Sequence, residues 1–425
     1  MPHTPAMVGE SIHSVKGHRL DSMLLFRIVY IFMFFFIAEL VFCGPIGLMM
    51  LGISIRKFLL AVMVLSAAGL SFYCGKFDFS WCSALLVIPG LIFWGGIIPL
   101  IRGVNFSDAM AESLPVLYLL LIIPVGILDK KNGLGIYFDF AHICVSIVSG
   151  LMIFVWLFAV IINIPELAYI LRTFYVFLSG NELGLYIGPM PDGSFRVMWI
   201  VCIFYPFLLF WVNRKRISWL WSLFYLFASY VSGTRAIMYI SVIVLIFNIV
   251  KFRSKYGIGL IVILFFLVVG FSEVLQGVRL FEVSSDLAIG SSRSDQFASL
   301  LQLWGRYPIF GAGLGAHAEV VRSEALYSYE LTYVALFAKV GIVGTVLILS
   351  MVILLLRKTM LRWRGRLWEM SILSIGFIFI TGTNPYLFNA FGFVLFVFLV
   401  GFGCLGFHGE RGDADGVGQC KVGVL

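Results

Sequence analysis

Long apolar stretches recur along the chain, most of them separated by only a few polar residues. The pattern predicts membrane helices at roughly 23–43, 57–74, 82–101, 114–128, 138–162, 196–212, 217–232, 235–250, 257–272, 331–356, 367–382 and 386–407. A hydrocarbon core of about 30 Å needs about twenty helical residues. The shorter stretches therefore require snorkelling flanks or a thinned bilayer. The expected fold is an all-α polytopic membrane protein of about 12 transmembrane helices. Residues 1–22 precede the first of these helices, 163–195 form one outer loop and 408–425 form a polar tail. Residues 272–330 break the pattern. They carry Arg279, Arg293, Arg306 and Arg322 beside Asp286, Asp295, Glu319, Glu324 and Glu330. A short turn suffices to join two spans, so a loop of this size, with helical periodicity and paired charges, is expected to hold a working site.

Composition narrows the class. The chain is 61% hydrophobic and 12% charged, with 42 phenylalanines, which excludes an ordinary soluble domain. The net charge of +8 does not imply nucleic-acid binding. Much of it lies in runs beside spans, at Arg214–Arg216, Lys251–Lys255 and Arg357–Arg366, as the positive-inside pattern requires. Placing those runs inside puts both termini in the cytoplasm and turns 163–195 and 272–330 outward. Arg56 and Lys57 then fall outside, against the pattern, and a half-span at 44–54 would change the early count. Six of the seven cysteines sit in apolar segments and none has CxxC spacing, so neither a zinc site nor a disulfide framework is expected. The segment 23–42 lacks a convincing cleavage site and reads as the first span.

Several constellations carry possible chemistry. Ser232-Gly233-Thr234-Arg235 separates two spans by almost nothing, so it is a tight outer turn. An arginine at the membrane boundary either snorkels to lipid phosphate or serves a site. Ser291 to Gln296 leads into an apolar stripe at Phe297, Leu300, Leu301 and Trp304, which predicts an amphipathic helix with Arg293 on its apolar side. Arg293 and the free N–H groups of that helix start would cradle a phosphate; alternatively Arg293 pairs with Asp295. Gly311, Gly313 and Gly315 follow Pro308 without a preceding strand, so they imply tight backbone turning rather than a dinucleotide site. His317 is a candidate acid or base, or simply a solvated loop histidine. Glu330 stands where the loop enters the next span. Partial desolvation there suits a general base, and a helix-capping carboxylate is the bland alternative. Tyr327, Tyr329 and Tyr333 form either a sugar-stacking surface or an interfacial aromatic belt. Asn384-Pro385 is a turn former.

In order, Ser232-Gly233-Thr234-Arg235, Arg293 before an amphipathic helix, Arg306-Tyr307-Pro308-Ile309-Phe310-Gly311-Ala312-Gly313-Leu314-Gly315, Gly341-Ile342-Val343-Gly344 and Asn384-Pro385 resemble the O-antigen polymerase and ligase superfamily. The resemblance covers residues 230–400. It implies an inner-membrane glycosyltransferase of bacteria, its site facing the periplasm, acting on undecaprenyl-diphosphate-linked oligosaccharides. Ligases of that superfamily carry His-Asn before the Gly-Ile-x-Gly span; this chain has Tyr329-Glu330, which favours a polymerase. The expected roles are Glu330 as base, and Arg293 and Arg235 stabilising the leaving diphosphate. Arg306, Arg279, His317 and Tyr329 would bind substrate. Arginines suit a departing diphosphate because they stay charged and bond it through a two-pronged fork. No DxD-like metal pair is evident, so the expected transfer is inverting and needs neither metal nor cofactor. Membrane lipids and a polysaccharide chain-length regulator are the expected partners. A ligase is the alternative activity. A lipid-linked oligosaccharide transporter is a third, disfavoured because Glu39 and Lys339 are among the few charges within spans.

Overall fold

The computed structural model describes residues 10–44, 47–50, 53–74, 79–130, 134–162, 164, 166–179, 185–189, 195–214, 219–252, 292–320, 328–329, 331–362, 367–382 and 389–404. The expected span at 257–272, the turn at 383–386 and the tail lie outside the described residues.

The chain is a predominantly α-helical membrane protein. Its described helices are α1 (Glu10–Phe42), α2 (Ile55–Cys74), α3 (Phe79–Ile92), α4 (Ile98–Arg102), α5 (Phe106–Ser113), α6 (Ile122–Lys130), α7 (Leu134–Val160), α8 (Glu166–Ser179), α9 (Tyr205–Arg214), α10 (Trp219–Val231), α11 (Arg235–Phe252), α12 (Ser292–Arg306), α13 (Thr332–Arg362), α14 (Leu367–Gly382) and α15 (Ala390–Cys404). A π-helical turn, Phe93–Ile97, joins α3 to α4, and a 3-10 stretch, Leu114–Leu121, joins α5 to α6. Among the described residues two antiparallel hairpins interrupt the helices: β1 (Met49–Met50) with β2 (Ile53–Ser54), and β3 (Leu185–Pro189) with β4 (Phe195–Trp199).

Among the described residues, five helical stretches are long and apolar enough to cross a membrane: Met23–Phe42, Ile55–Phe72, Phe106–Leu128, Leu134–Val160 and Thr332–Ile353. Six shorter apolar helices pack among them. The segment expected to begin at residue 114 starts earlier, because α5, the 3-10 stretch and α6 run on as one rod. The expected outer loop at 163–195 contains α8 and the first strand of the second hairpin.

Helices in lipid gain little from apolar burial against one another, so close packing and interhelical hydrogen bonds hold them. Helix α7 supplies such bonds along one side. Asp139 accepts from Trp211 Nε1 at 2.9 Å, His142 Nδ1 lies 2.6 Å from the Tyr225 hydroxyl, and Ser149 bonds the Tyr205 hydroxyl at 2.9 Å. Phe138 and Trp211 stack beside them with ring centroids 5.1 Å apart.

The anomalous Arg56 is resolved by burial. Its side chain is fully enclosed, pairs with Glu39, bonds the Gly44 carbonyl and lies over the Phe391 ring. A charge spent inside the protein does not count in the loop balance that sets orientation.

Candidate functional site

The site is built on a break in a membrane helix. In α13, Gly341 has φ 67° and ψ −170°, which interrupts the helical ladder. A break at membrane depth leaves backbone groups that hydrocarbon cannot satisfy. The glycine run satisfies them. Ala312 N donates to Ala338 O at 3.1 Å, and Gly313 N donates to Lys339 O at 2.9 Å. From the other side, Ile342 N donates to Pro308 O at 3.0 Å and Val343 N to Ile309 O at 3.1 Å. Gly311 and Gly341 meet backbone to backbone. A Cβ on Gly311 would overlap the Lys339 carbonyl, and one on Gly341 would overlap the Ile309 carbonyl. Both also have positive φ, which disfavours any larger residue.

The π turn completes the seal. Ile98 N bonds Phe93 O in the wide register, so Trp94 O would take the next N–H, that of residue 99. Pro99 has none. Leu314 N fills the place, donating to Trp94 O at 2.8 Å. The Trp94 indole donates to Phe310 O at 2.9 Å and to Val340 O at 3.0 Å, tying the glycine run and the helix break together.

Beneath this junction lies a buried ion pair. Lys339 Nζ sits 2.6 and 2.7 Å from the two carboxylate oxygens of Glu112, and both side chains are enclosed. Glu112 Oε2 also accepts from Gly315 N at 2.6 Å. Lys339 Nζ lies 5.2 Å from the centre of the Tyr329 ring. Burial pushes the Tyr329 phenol up to about 12, so it stays neutral, and its oxygen accepts from Ala318 N at 2.5 Å.

That last bond bears on the predicted site residues. His317 is exposed, and its neighbour Ala318 is tied to Tyr329, the residue before Glu330. In sequence His317 looks too distant to share the place of Tyr329-Glu330; in space the two strands of the loop are joined there. Arg306 is also exposed and pairs with Glu319 at 3.3 Å. Arg102 stacks over the Tyr307 ring at 4.1 Å, adding a cation next to Arg306. An ion pair as open to water as Arg306–Glu319 contributes less than about 1 kcal/mol. Arg306→Gln should therefore leave the melting temperature within about 1 °C of wild type. A loss of turnover in that variant would report substrate contact rather than folding.

The remaining predicted residues are covered in part. The backbones of Arg235 and Arg293 are described, but their side chains are not, and Arg279 and Glu330 lie outside the described residues. Arg235 opens α11. Gly376 of α14 abuts Ile240 of α11, and Gly382 abuts the Tyr333 ring at the start of α13. Tyr333 and Thr381 share a 2.6 Å hydrogen bond. The starts of α11 and α13 and the end of α14 therefore occupy one end of the bundle. The Arg235 turn is also covered by the second hairpin: the Arg196 stem packs over Gly233, with its guanidinium 4.1 Å from the Tyr186 ring.

The amphipathic helix forms as expected, with its inward face rotated so that only Leu300 and Trp304 of the expected stripe lie on it. Phe297 and Leu301 are exposed, whereas Gln296 and Ser299 are buried, and Leu300 and Leu303 are buried against α13 and the glycine run. Leu300 and Leu303 hold this face down, and Trp304 stacks on Phe337 at 5.0 Å. Position 293 shares a line of α12 with Leu300 and Trp304. Glu112, Arg102 and Arg196 were not singled out from the sequence. Glu112 carried one usable signal, a carboxylate at the mouth of an apolar run, but nothing in the sequence pairs it with Lys339. Among the described residues no group of three His, Cys, Asp or Glu side chains is placed to hold a metal ion. No family model, curated protein or solved structure matches the chain.

Proposed function

We propose that the chain is a bacterial inner-membrane glycosyltransferase with about 12 spans, its loop facing the periplasm. It polymerises oligosaccharide units carried on undecaprenyl diphosphate. The growing chain passes from its lipid diphosphate to a sugar hydroxyl of a new lipid-linked unit. In this reading Arg293 and Arg235 stabilise the departing diphosphate, and Glu330 takes the proton of the attacking hydroxyl. The observation that carries it is the interlock of the glycine run with the broken helix. Two of the motifs behind the superfamily resemblance, separate in sequence, make one sealed junction, and the loop residues His317 and Tyr329 are fixed beside it. A rigid loop anchored at a membrane surface is what a lipid-linked donor and an extended acceptor require. The Ala318–Tyr329 bond also favours a second reading, a ligase with His317 as base.

The test is the length of lipid-linked products made in vitro. Arg293→Ala should abolish polymer while the protein stays folded and inserted, and Arg293→Lys should recover only part, because a point charge replaces a fork. Long polysaccharide from Arg293→Ala would remove the diphosphate role. Glu330→Gln keeps shape and removes charge, and should lower turnover by about 10²–10⁴. Near-normal products from Glu330→Gln with none from His317→Ala would move the base to His317 and the activity to the ligase.

A further inference from the structure

We infer that Arg102, stacked on Tyr307, holds the phosphate of an anionic phospholipid at the membrane boundary. This lipid is distinct from the lipid-linked substrate proposed above.

Arg102 closes α4, and its guanidinium carbon lies 4.1 Å from the centre of the Tyr307 ring. Stacking engages the flat face of a guanidinium and leaves its N–H donors, which point outward in the plane of the group, unused. Among the described residues nothing accepts from them. A cation in the last turn of a helix often serves the terminal carbonyls. Here the main chain already does so, since Gly103 N donates to Leu100 O at 3.4 Å and Val104 N to Pro99 O at 2.9 Å. Arg306, beside Tyr307 in sequence, is committed to Glu319. The seat of Arg102 is fixed in turn, because the Tyr307 carbonyl accepts from Gly311 N at 3.0 Å and so belongs to the glycine junction. Arg102 is therefore an exposed charge with a held position and open donors.

Its surroundings define the ligand. Leu100 is 81% exposed and Ile101 is 67% exposed, immediately before Arg102. Ile309 and Phe310 are exposed just after Tyr307, and the Phe310 ring lies 5.6 Å from that of Phe93 in the π turn. Apolar side chains this open in a membrane protein face acyl chains. Beyond the Gly103 turn stand Asn105 and Ser107, both exposed. The Asn105 side-chain oxygen accepts from Ser107 N at 3.0 Å, so its amide nitrogen stays available as a donor. Apolar surface, then a cation, then neutral polar groups follow the layers of a phospholipid from chain to headgroup. The side of the membrane agrees. Arg102 lies at the loop end of the bundle, whereas the basic run beginning at Arg357 lies at the far end of α13. The positive-inside pattern does not place an arginine at the loop end, so a local anion is required to account for it. One open guanidinium matches the single charge of a phosphodiester and falls short of a diphosphate.

The test measures lipid binding to the full chain in detergent by native mass spectrometry. The probes are phosphatidylglycerol, phosphatidylcholine and undecaprenyl diphosphate. Wild type should bind phosphatidylglycerol about tenfold tighter than phosphatidylcholine. Arg102→Gln should lose that preference. Tyr307→Leu, which removes the stacking surface, should lose most of it, and Tyr307→Phe, which keeps the ring, should retain it. Arg306→Gln should retain it too, and undecaprenyl diphosphate should bind Arg102→Gln as it binds wild type. An unchanged preference in Arg102→Gln overturns the inference. An equal loss in Arg306→Gln does so as well, since net charge rather than one seat would then set the preference. Loss of undecaprenyl diphosphate alone in Arg102→Gln would overturn the phospholipid assignment and move Arg102 into the proposed active site.

Discussion

Replacing Lys339 by methionine should destabilise the protein by about 3–5 kcal/mol, because it strands a buried carboxylate. Glu112 is enclosed and has two described partners, the Lys339 ammonium and the Gly315 amide. With the ammonium gone, only the amide remains to offset the lost hydration. Breaking a buried pair from one side costs far more than the pair itself contributes. Glu112→Gln combined with Lys339→Met removes both charges and keeps an acceptor for Gly315 N. The double variant should therefore recover most of the loss. Melting of each variant in detergent, read by fluorescence-detected size exclusion, checks this. A single Lys339→Met variant as stable as wild type would show that the pair is not a structural tie.

Gly311→Val should have an effect of similar size, for a steric rather than an electrostatic reason. The residue holds a left-handed backbone, and any Cβ there collides with the carbonyl of Lys339. Neither partner can yield easily, because the Lys339 carbonyl already accepts from Gly313 N across the junction and Gly311 N is tied back to Tyr307 O. The glycine run would be pushed off the break in α13, leaving carbonyls of Ala338 and Lys339 unpaired at membrane depth, each at several kcal/mol. The expected result is protein that inserts but is cleared by proteolysis, seen as loss of the full-length band at steady expression. Gly305→Ala is the control, since a Cβ there meets nothing within 4 Å and lies in the last turns of α12. Equal accumulation of the two variants would show that the close approach at Gly311 is dispensable.

These two effects also mark where sequence reasoning reached and where it stopped. Apolar length alone gave the helical membrane character, because a continuous run has no period to misread. The same reasoning read Gly311, Gly313 and Gly315 as tight turning, which is the local half of their role. Their other half, pressing against Gly341 and against Pro99 and Ala109 in the first third of the chain, is tertiary and leaves no local trace. Helix α12 was legible as amphipathic, and its inward face was read correctly on one side only. Of the predicted stripe, Leu300 and Trp304 pack inward together with Leu303, whereas Phe297 and Leu301 are exposed. A helix carrying apolar residues on adjacent lines has no unique seam until its neighbour is known. Glu112 was passed over because a lone carboxylate beside a span usually faces water, and Arg56 looked topogenic because its partner Glu39 lies across a hairpin.

The Trp94 indole bonds Val340 across 246 positions of sequence. During synthesis, then, α13 leaves the ribosome with a gap in its ladder that waits on the π turn, α4 and α5, made long before, and on the glycine run just ahead of it. Lipid cannot shelter that gap. The late third of the protein consequently depends on the early third as an intramolecular chaperone. Separately expressed halves divided near residue 215 should each insert, and each should be short-lived until the other is supplied.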